Sequence, residues 1–263
     1  MTTPRPVALV TGASSGIGQE LARVLAREGH DLVLVARREP ELRALADELS
    51  KRYGATSTVV TADLSDPDGP QHVYDEVTTA GLSVDVLVNN AGFGGHGRFS
   101  ERSADEDLRM LAVNVVALTA LTKLFLPAMT TRGRGHVLNV ASTAAFQPVP
   151  FMAVYYASKA YVLSFTEAIA EELAGTGVTA TALCPGVVLS GFQEAAGLGA
   201  NQPMLKSPGM KSASFVAEAA YDGMVRGKRI VIPGALNKVG AQSIRIAPRR
   251  AVTAVIRRLH PPG

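Results

Sequence analysis

The chain has 263 residues, 47% of them hydrophobic and 19% charged, with a mean hydropathy of +0.16; this is too apolar for a disordered chain and the right length for one large domain or two small ones. Cys184 is the sole cysteine, which excludes an intrachain disulfide, points to a reducing compartment and fits a small buried apolar side chain. The net charge of +3 conceals an asymmetry, because nine basic and no acidic residues follow Asp222 and the first 225 residues, with 17 basic against 23 acidic, carry −6.

The N-terminal MTTPRPVALVTG runs straight into a predicted strand, Val7 to Val10, leaving no room for a cleavable signal. No uncharged apolar run reaches the roughly 18 residues of a membrane span, so a soluble cytoplasmic protein is expected. The turn TGASSGIG, Thr11 to Gly18, follows that strand and opens a helix, Gly16 to Glu28, with Leu21, Val24 and Leu25 on one face. Backbone N–H groups around Gly12, Ser14, Ser15, Gly16, Ile17 and Gly18 can approach a nucleotide pyrophosphate that also meets the positive helix end. The spacing is G-x-x-x-G-x-G rather than G-x-G-x-x-G. Gly12 to Gly16 also satisfies G-x-S-x-G, the nucleophile elbow of hydrolases, but among the histidines only His260, in the tail, lies late enough to complete a triad in that order.

The alternation continues with strand Asp31 to Ala36, helix Glu41 to Arg52, strand Ser57 to Ala62, helix Pro70 to Ala80 and strand Val84 to Asn89. Strands separated by helical stretches of this length predict a doubly wound parallel Rossmann sheet with helices on both faces, in a single domain. After strand two stand Ala36, Arg37 and Arg38. A carboxylate here would accept from a ribose 2′-hydroxyl and repel a 2′-phosphate; Ala36 removes the repulsion and Arg37 offers a planar fork, so NADP(H) is expected over NAD(H). Asp63, followed by Leu64, stands where it can accept from an adenine amino group. Asn89, Asn90, Ala91 and Gly92 close strand four, where Asn side chains can tie neighbouring strands and Gly92 lets a cofactor come close.

A long helix over Ala104 to Met129, a strand over His136 to Ala141, a helix over Tyr155 to Leu173 and a strand over Val178 to Cys184 follow. Residues 186–213 then lose all periodicity and are the candidate substrate lid. The final strand falls within Arg229 to Pro233. Residues 1–247 form the catalytic domain in this reading and 248–263 a basic amphipathic tail, a helix from Pro248 with Val252, Val255, Ile256 and Leu259 in one stripe, which would pack on a subunit or weakly meet an anionic membrane.

Together TGASSGIG, NNAG, Ser142, YYASK and Pro185-Gly186 resemble the short-chain dehydrogenase/reductase family, in its compact single-domain branch, over roughly Val7 to Phe192. The resemblance implies a catalytic tetrad of Asn114, Ser142, Tyr155 and Lys159, with Tyr155 and Lys159 also contacting the cofactor. Tyr156 is not the matching tyrosine, because four residues beyond it stands Ala160. Tyr155 would exchange a proton with the substrate oxygen, Lys159 would lower its pKa and hold ribose hydroxyls, Ser142 would bond the substrate, and Asn114 would support a water leading from the lysine to solvent. Pro185, Gly186, Val188 and Ser190 resemble the family's PGxxxT, which meets the nicotinamide carboxamide, with Ser in place of Thr.

Phe93, Phe146, Phe151, Met152 and Phe192, with Pro148, Met204 and Leu205, are expected near the nicotinamide end and suit a bulky apolar ketone or secondary alcohol. The resemblance thus implies an NADP(H)-dependent carbonyl reductase or alcohol dehydrogenase, like hydroxysteroid dehydrogenases. A ketoacyl reductase is the alternative within the family, and an NADP(H)-sensing protein without catalysis is the alternative outside it. A homodimer or homotetramer through the two long helices is expected, with no metal and no nucleic-acid partner.

Overall fold

In the computed structural model, which describes residues 5–189 and 210–246, seven parallel strands form one sheet. They are β1 (Val7–Thr11), β2 (Asp31–Ala36), β3 (Ser57–Thr61), β4 (Val84–Asn89), β5 (Gly135–Val140), β6 (Val178–Leu183) and β9 (Ile230–Val231), in the order β3-β2-β1-β4-β5-β6-β9. Period-two alternation divides the core. Ala8, Val10, Leu32, Leu34, Val86 and Val88 pack on one face with α1 (Gly16–Arg27), α2 (Glu39–Tyr53) and a later helix, α7 (Ala213–Val225). Leu9, Val33, Val35, Leu87 and Val137 pack on the other with α3 (Gly69–Thr79), α5 (Leu118–Arg132) and α6 (Ala153–Glu172). The predicted doubly wound sheet is the observed one.

Order reverses between β1 and β4, because β3 lies at one edge and the chain returns to the far side of β1. The crevice beyond the carboxyl ends of those strands is where ligands bind in such sheets. Arg5 braces the opposite end of the sheet: its guanidinium donates to the carbonyls of Ala26 in the last turn of α1 and Gly29 just after it, and to those of Tyr53 and Gly54 at the end of α2. Gly54 takes a left-handed φ of 63°, the turn that stops α2.

The long helix departs from expectation. It starts as α4 (Ala104–Leu111), passes through a π-helical stretch, Ala112–Ala117, and continues as α5 to Arg132. By length and composition Ala104–Arg132 could cross a membrane, yet Leu118, Leu121, Phe125 and Met129 are buried against the sheet and its neighbours. Two further features were not predicted. The aperiodic segment begins with β7 (Val188–Leu189), paired in parallel with β8 (Lys211–Ser212), which joins its two ends. After β9 comes a helix, α8 (Ala235–Ile246), whose Asn237 lies against Gly186. Ser190, Phe192, Met204, Leu205, most of the candidate lid and the 248–263 tail lie outside the described residues.

Candidate active site

The glycine-rich turn is built by β1, β4 and the start of α1. Gly12 and Gly16 have φ of 66° and 59°, conformations that favour glycine. Asn90 is committed to this turn: its amide donates to the carbonyls of Thr11 and Gly12 at 2.9 and 3.3 Å, and its N–H reaches the Thr11 hydroxyl at 2.9 Å. Asn90 therefore shapes the glycine-rich turn through its amide hydrogens. No side chain caps α1 at Ser15 and no acid stands in its first turn, so an anion fits that helix end without a competing carboxylate.

Arg38 donates to the Ser14 carbonyl and hydroxyl, both at 3.1 Å, and so lies on the turn itself. Arg37 is 65% exposed on its side chain and paired only loosely with Asp63, at 3.9 Å. The Asp63 carboxylate accepts the Ser65 hydroxyl and N–H, which holds its pKa below the usual value with help from Arg37. Leu64, just after Asp63, is buried, Val188 is buried in β7 beyond β6, and Ala91 donates its N–H to the Thr11 hydroxyl. These residues fit a dinucleotide, with two guanidinium groups at the end where a 2′-phosphate would stand.

Across the crevice, Tyr155 lies in the first turn of α6 and Lys159 one turn on, both buried. Ser142, at the end of β5, hydrogen-bonds to Tyr155 and accepts the Ala144 N–H at 3.1 Å. Lys159 donates to the Val140 carbonyl at 2.8 Å, and its Nζ stands 6.0 Å from the Tyr155 ring centroid. Burial pushes Tyr155 up to about 12, against the opposing effect of Ser142, and pushes Lys159 down to about 8. The expected lowering of the tyrosine by its lysine is thus reversed in the chain by itself. Desolvation of the buried phenolate is the largest effect on Tyr155.

Asn114 lies within the π-helical stretch, buried, and both of its amide hydrogens are engaged: it donates to the Phe93 carbonyl and the Ser158 hydroxyl, both at 3.0 Å, and accepts from Phe93 N–H at 3.1 Å. Its side chain clamps the wall beside Tyr155. Gly92 is explained the same way: a Cβ there would stand 2.9 Å from Asn114 Oδ1 and 3.3 Å from Lys159 Nζ. The glycine admits these two side chains, whatever it also allows a cofactor.

Of the expected substrate residues, Met152 packs with Tyr155, Tyr156 and Val149, and Phe93 packs against that group. Phe146 packs instead with Leu163, Cys184 and Ile232, so it supports the floor. Phe151 borders a small cavity with Gly95, Gly97 and Arg102. Ser158, Arg102 and Asp107 were not singled out in the sequence. Beneath the site, Asn89 donates to Thr122 and Asn139, and Asn139 donates to Thr166, a buried ladder tying β4 and β5 to α5 and α6. The Asn spacing in β4 and β5 was its only sequence signal.

A parallel Rossmann sheet with a glycine-rich turn facing a Ser-Tyr-Lys group, its tyrosine and lysine buried, defines a nicotinamide-dinucleotide oxidoreductase. The chain matches the short chain dehydrogenase family over residues 6–200 and belongs to it. A putative ketoacyl reductase from Streptomyces coelicolor is 41% identical over 189 residues, covering 71% of this chain and 72% of that protein. Two other relatives, one from Pseudocercospora fijiensis and one from Nostoc, are matched over 66% and 62% of their own length, so the chain spans about two thirds of each. A short-chain dehydrogenase from Sphingobium yanoikuyae in complex with NADPH superposes with a TM-score of 0.81 at 31% identity, covering 94% of this chain and 97% of that one. A bulky-bulky ketone specific alcohol dehydrogenase from Comamonas testosteroni superposes with a TM-score of 0.77 at 29% identity, covering 98% of both.

Proposed function

We propose that the protein is an NADP(H)-dependent reductase of bulky apolar ketones or aldehydes, and oxidises the corresponding alcohols in reverse. The carrying observation is the Tyr155–Ser142 hydrogen bond, with Lys159 buried behind it, facing the glycine-rich turn. A bound NADP(H) would supply or accept the hydride. Tyr155, protonated at neutral pH, donates a proton to the carbonyl oxygen as charge develops there, and Ser142 donates a second hydrogen bond to the same oxygen. Lys159 sets the local charge from behind the ring. Asn114 keeps Phe93 and α6 at fixed separation around the reacting oxygen.

Arg37, Arg38 and the absence of a carboxylate at Ala36 favour NADP(H) over NAD(H). Phe93 and Met152 beside Tyr155 favour an apolar substrate, as does the likeness to the Comamonas testosteroni enzyme. The likeness to the Streptomyces coelicolor protein favours a second reading, a ketoacyl thioester as substrate. Two copies would join through the long helix that runs from α4 through the π-helical stretch to α5 and through α6, where Val116 and Tyr161 are exposed. The test is NADPH consumption, followed by absorbance, against a panel of bulky ketones, small aldehydes and a ketoacyl thioester. Turnover of bulky ketones above the rest supports the proposal; preference for the thioester supports the second reading, and consumption of none removes both.

A further inference from the structure

Phe151 is the sole non-glycine residue with a positive φ among the described residues, at 66°, and a bulky side chain avoids that region unless its surroundings impose it. It stands two residues before α6 begins at Ala153 and four before Tyr155. What imposes the conformation comes from the other wall of the crevice. The Phe151 carbonyl accepts the Gly97 N–H at 2.8 Å, and its ring faces His96 and the Arg98 guanidinium at 6.2 and 5.9 Å.

The 95–97 loop is itself tied down by Arg102. That guanidinium donates to the His96 carbonyl at 3.0 Å and to the buried Asp107 carboxylate at 2.8 Å. It passes so close under the loop that a Cβ at Gly95 would stand 2.6 Å from Arg102 Cζ, and one at Gly97 3.2 Å from its Cγ. A nearly buried Arg–Asp pair threaded under two glycines joins α4 to the loop, and the loop to Phe151. Phe93 and Met152, the residues flanking Tyr155, belong to the two segments this chain of contacts connects.

We infer that Arg102 is a positioning residue that latches the two walls of the substrate pocket, holding Phe151 left-handed and so fixing Met152 and the first turn of α6 relative to Phe93. The inference rests on the proposed reductase reading for its kinetic consequence. The latch itself does not depend on that reading. With Arg102 in place, the pocket has one width, and the strain at Phe151 is carried by the ion pair and the Gly97 bond.

The test is a mutant cycle. Arg102→Leu is combined with Asp107→Asn so that no unpaired charge is left buried, and this pair is made with and without Phe151→Asn, since Asn tolerates the left-handed region. Unlatching should raise KM for a bulky ketone about tenfold while kcat for a small aldehyde and NADPH affinity stay within about twofold. In the Phe151→Asn background the same unlatching should raise KM by no more than about twofold, because the backbone there has little strain to release. The melting temperature supplies a readout without turnover: the change caused by Phe151→Asn should be more favourable in the latched protein than in the unlatched one. Equal changes in both backgrounds, or a parallel loss of NADPH binding and of turnover on both substrates, would overturn the latch. If the wild type turns over no carbonyl, the functional reading fails and the melting cycle alone decides the latch. Where the unlatched pair does not fold, Arg102→Lys takes its place in the same cycle, with the same outcomes.

Discussion

Gly92→Ala is the most direct probe of how the site is assembled. Gly92 is outside the left-handed region, so alanine tests space and not backbone strain. The new Cβ would lie 2.9 Å from Asn114 Oδ1, and ordinary contact begins at about 3.4 Å, so the carboxamide must retreat by about 0.5 Å. Its bond from Phe93 N–H, now 3.1 Å, then exceeds hydrogen-bonding distance, leaving a largely buried amide unsatisfied at a cost of about 1 to 3 kcal/mol. Lys159 Nζ, at 3.3 Å from the new methyl, has to shift as well, although less. A misplacement of 1 Å near reacting groups costs about 100-fold in rate, so half of that predicts a fall in kcat of about tenfold. Melting temperature should drop by several degrees, while NADPH affinity, which the glycine-rich turn governs, stays within about threefold. Initial rates of NADPH-dependent reduction, a thermal melt and fluorescence titration with NADPH measure all three. A kcat within twofold of wild type at unchanged melting temperature would refute the claim that Gly92 exists to admit Asn114 and Lys159.

His30 and His136 both have pKa values lowered by burial, so both are neutral in the fold and gain protons on unfolding; their stabilising contribution is complete above the unfolded value of about 6.5 and is lost as pH falls through the folded values. Urea unfolding should therefore show stability declining below about pH 6.5, and a profile flat down to pH 5 would count against it. Ala36→Asp combined with Arg37→Ile should move cofactor preference from NADP(H) toward NAD(H), read as the ratio of kcat/KM values; equal use of both cofactors by the unmodified protein would contradict the assignment. Val116→Glu, placing a charge on the exposed face of the π-helical stretch, should turn a dimer or tetramer into a monomer by light scattering, and a wild type that is monomeric at all concentrations removes that proposal.

The parts of the protein legible in sequence are those coded locally. Strand periodicity at Val7–Thr11 and Asp31–Ala36 and the Tyr155/Lys159 spacing each depend on a few neighbouring residues, and each stands where it was expected. The π-helical stretch at Ala112–Ala117 was invisible because its apolar pattern is also that of an α-helix, and only the demands of Asn114 against Phe93 and Ser158 distinguish it. The upward push that burial exerts on Tyr155 in the chain by itself was not legible, because spacing reports which groups are close and says nothing about how much water they lose. Gly92 was expected to let a cofactor come close, yet the side chains it admits come from Asn114 and Lys159, which only the fold brings to it. Phe146 carried the same apolar signal as Met152, yet it ends the short 3-10 turn Thr143–Phe146 and packs against a different cluster.

The central claim is that Tyr155 delivers the proton, and Tyr155→Phe isolates it by removing the hydroxyl while keeping the ring in its buried place beside Tyr156, 5.7 Å away between centroids. Single-turnover oxidation of bound NADPH by a bulky ketone that the wild type reduces, at neutral pH, reads the chemical step apart from binding and release. The account predicts a loss of at least about 100-fold with NADPH affinity and melting temperature close to wild type. A variant that keeps a tenth or more of the wild-type rate would contradict it, and would leave Ser142 or water as the source of the proton.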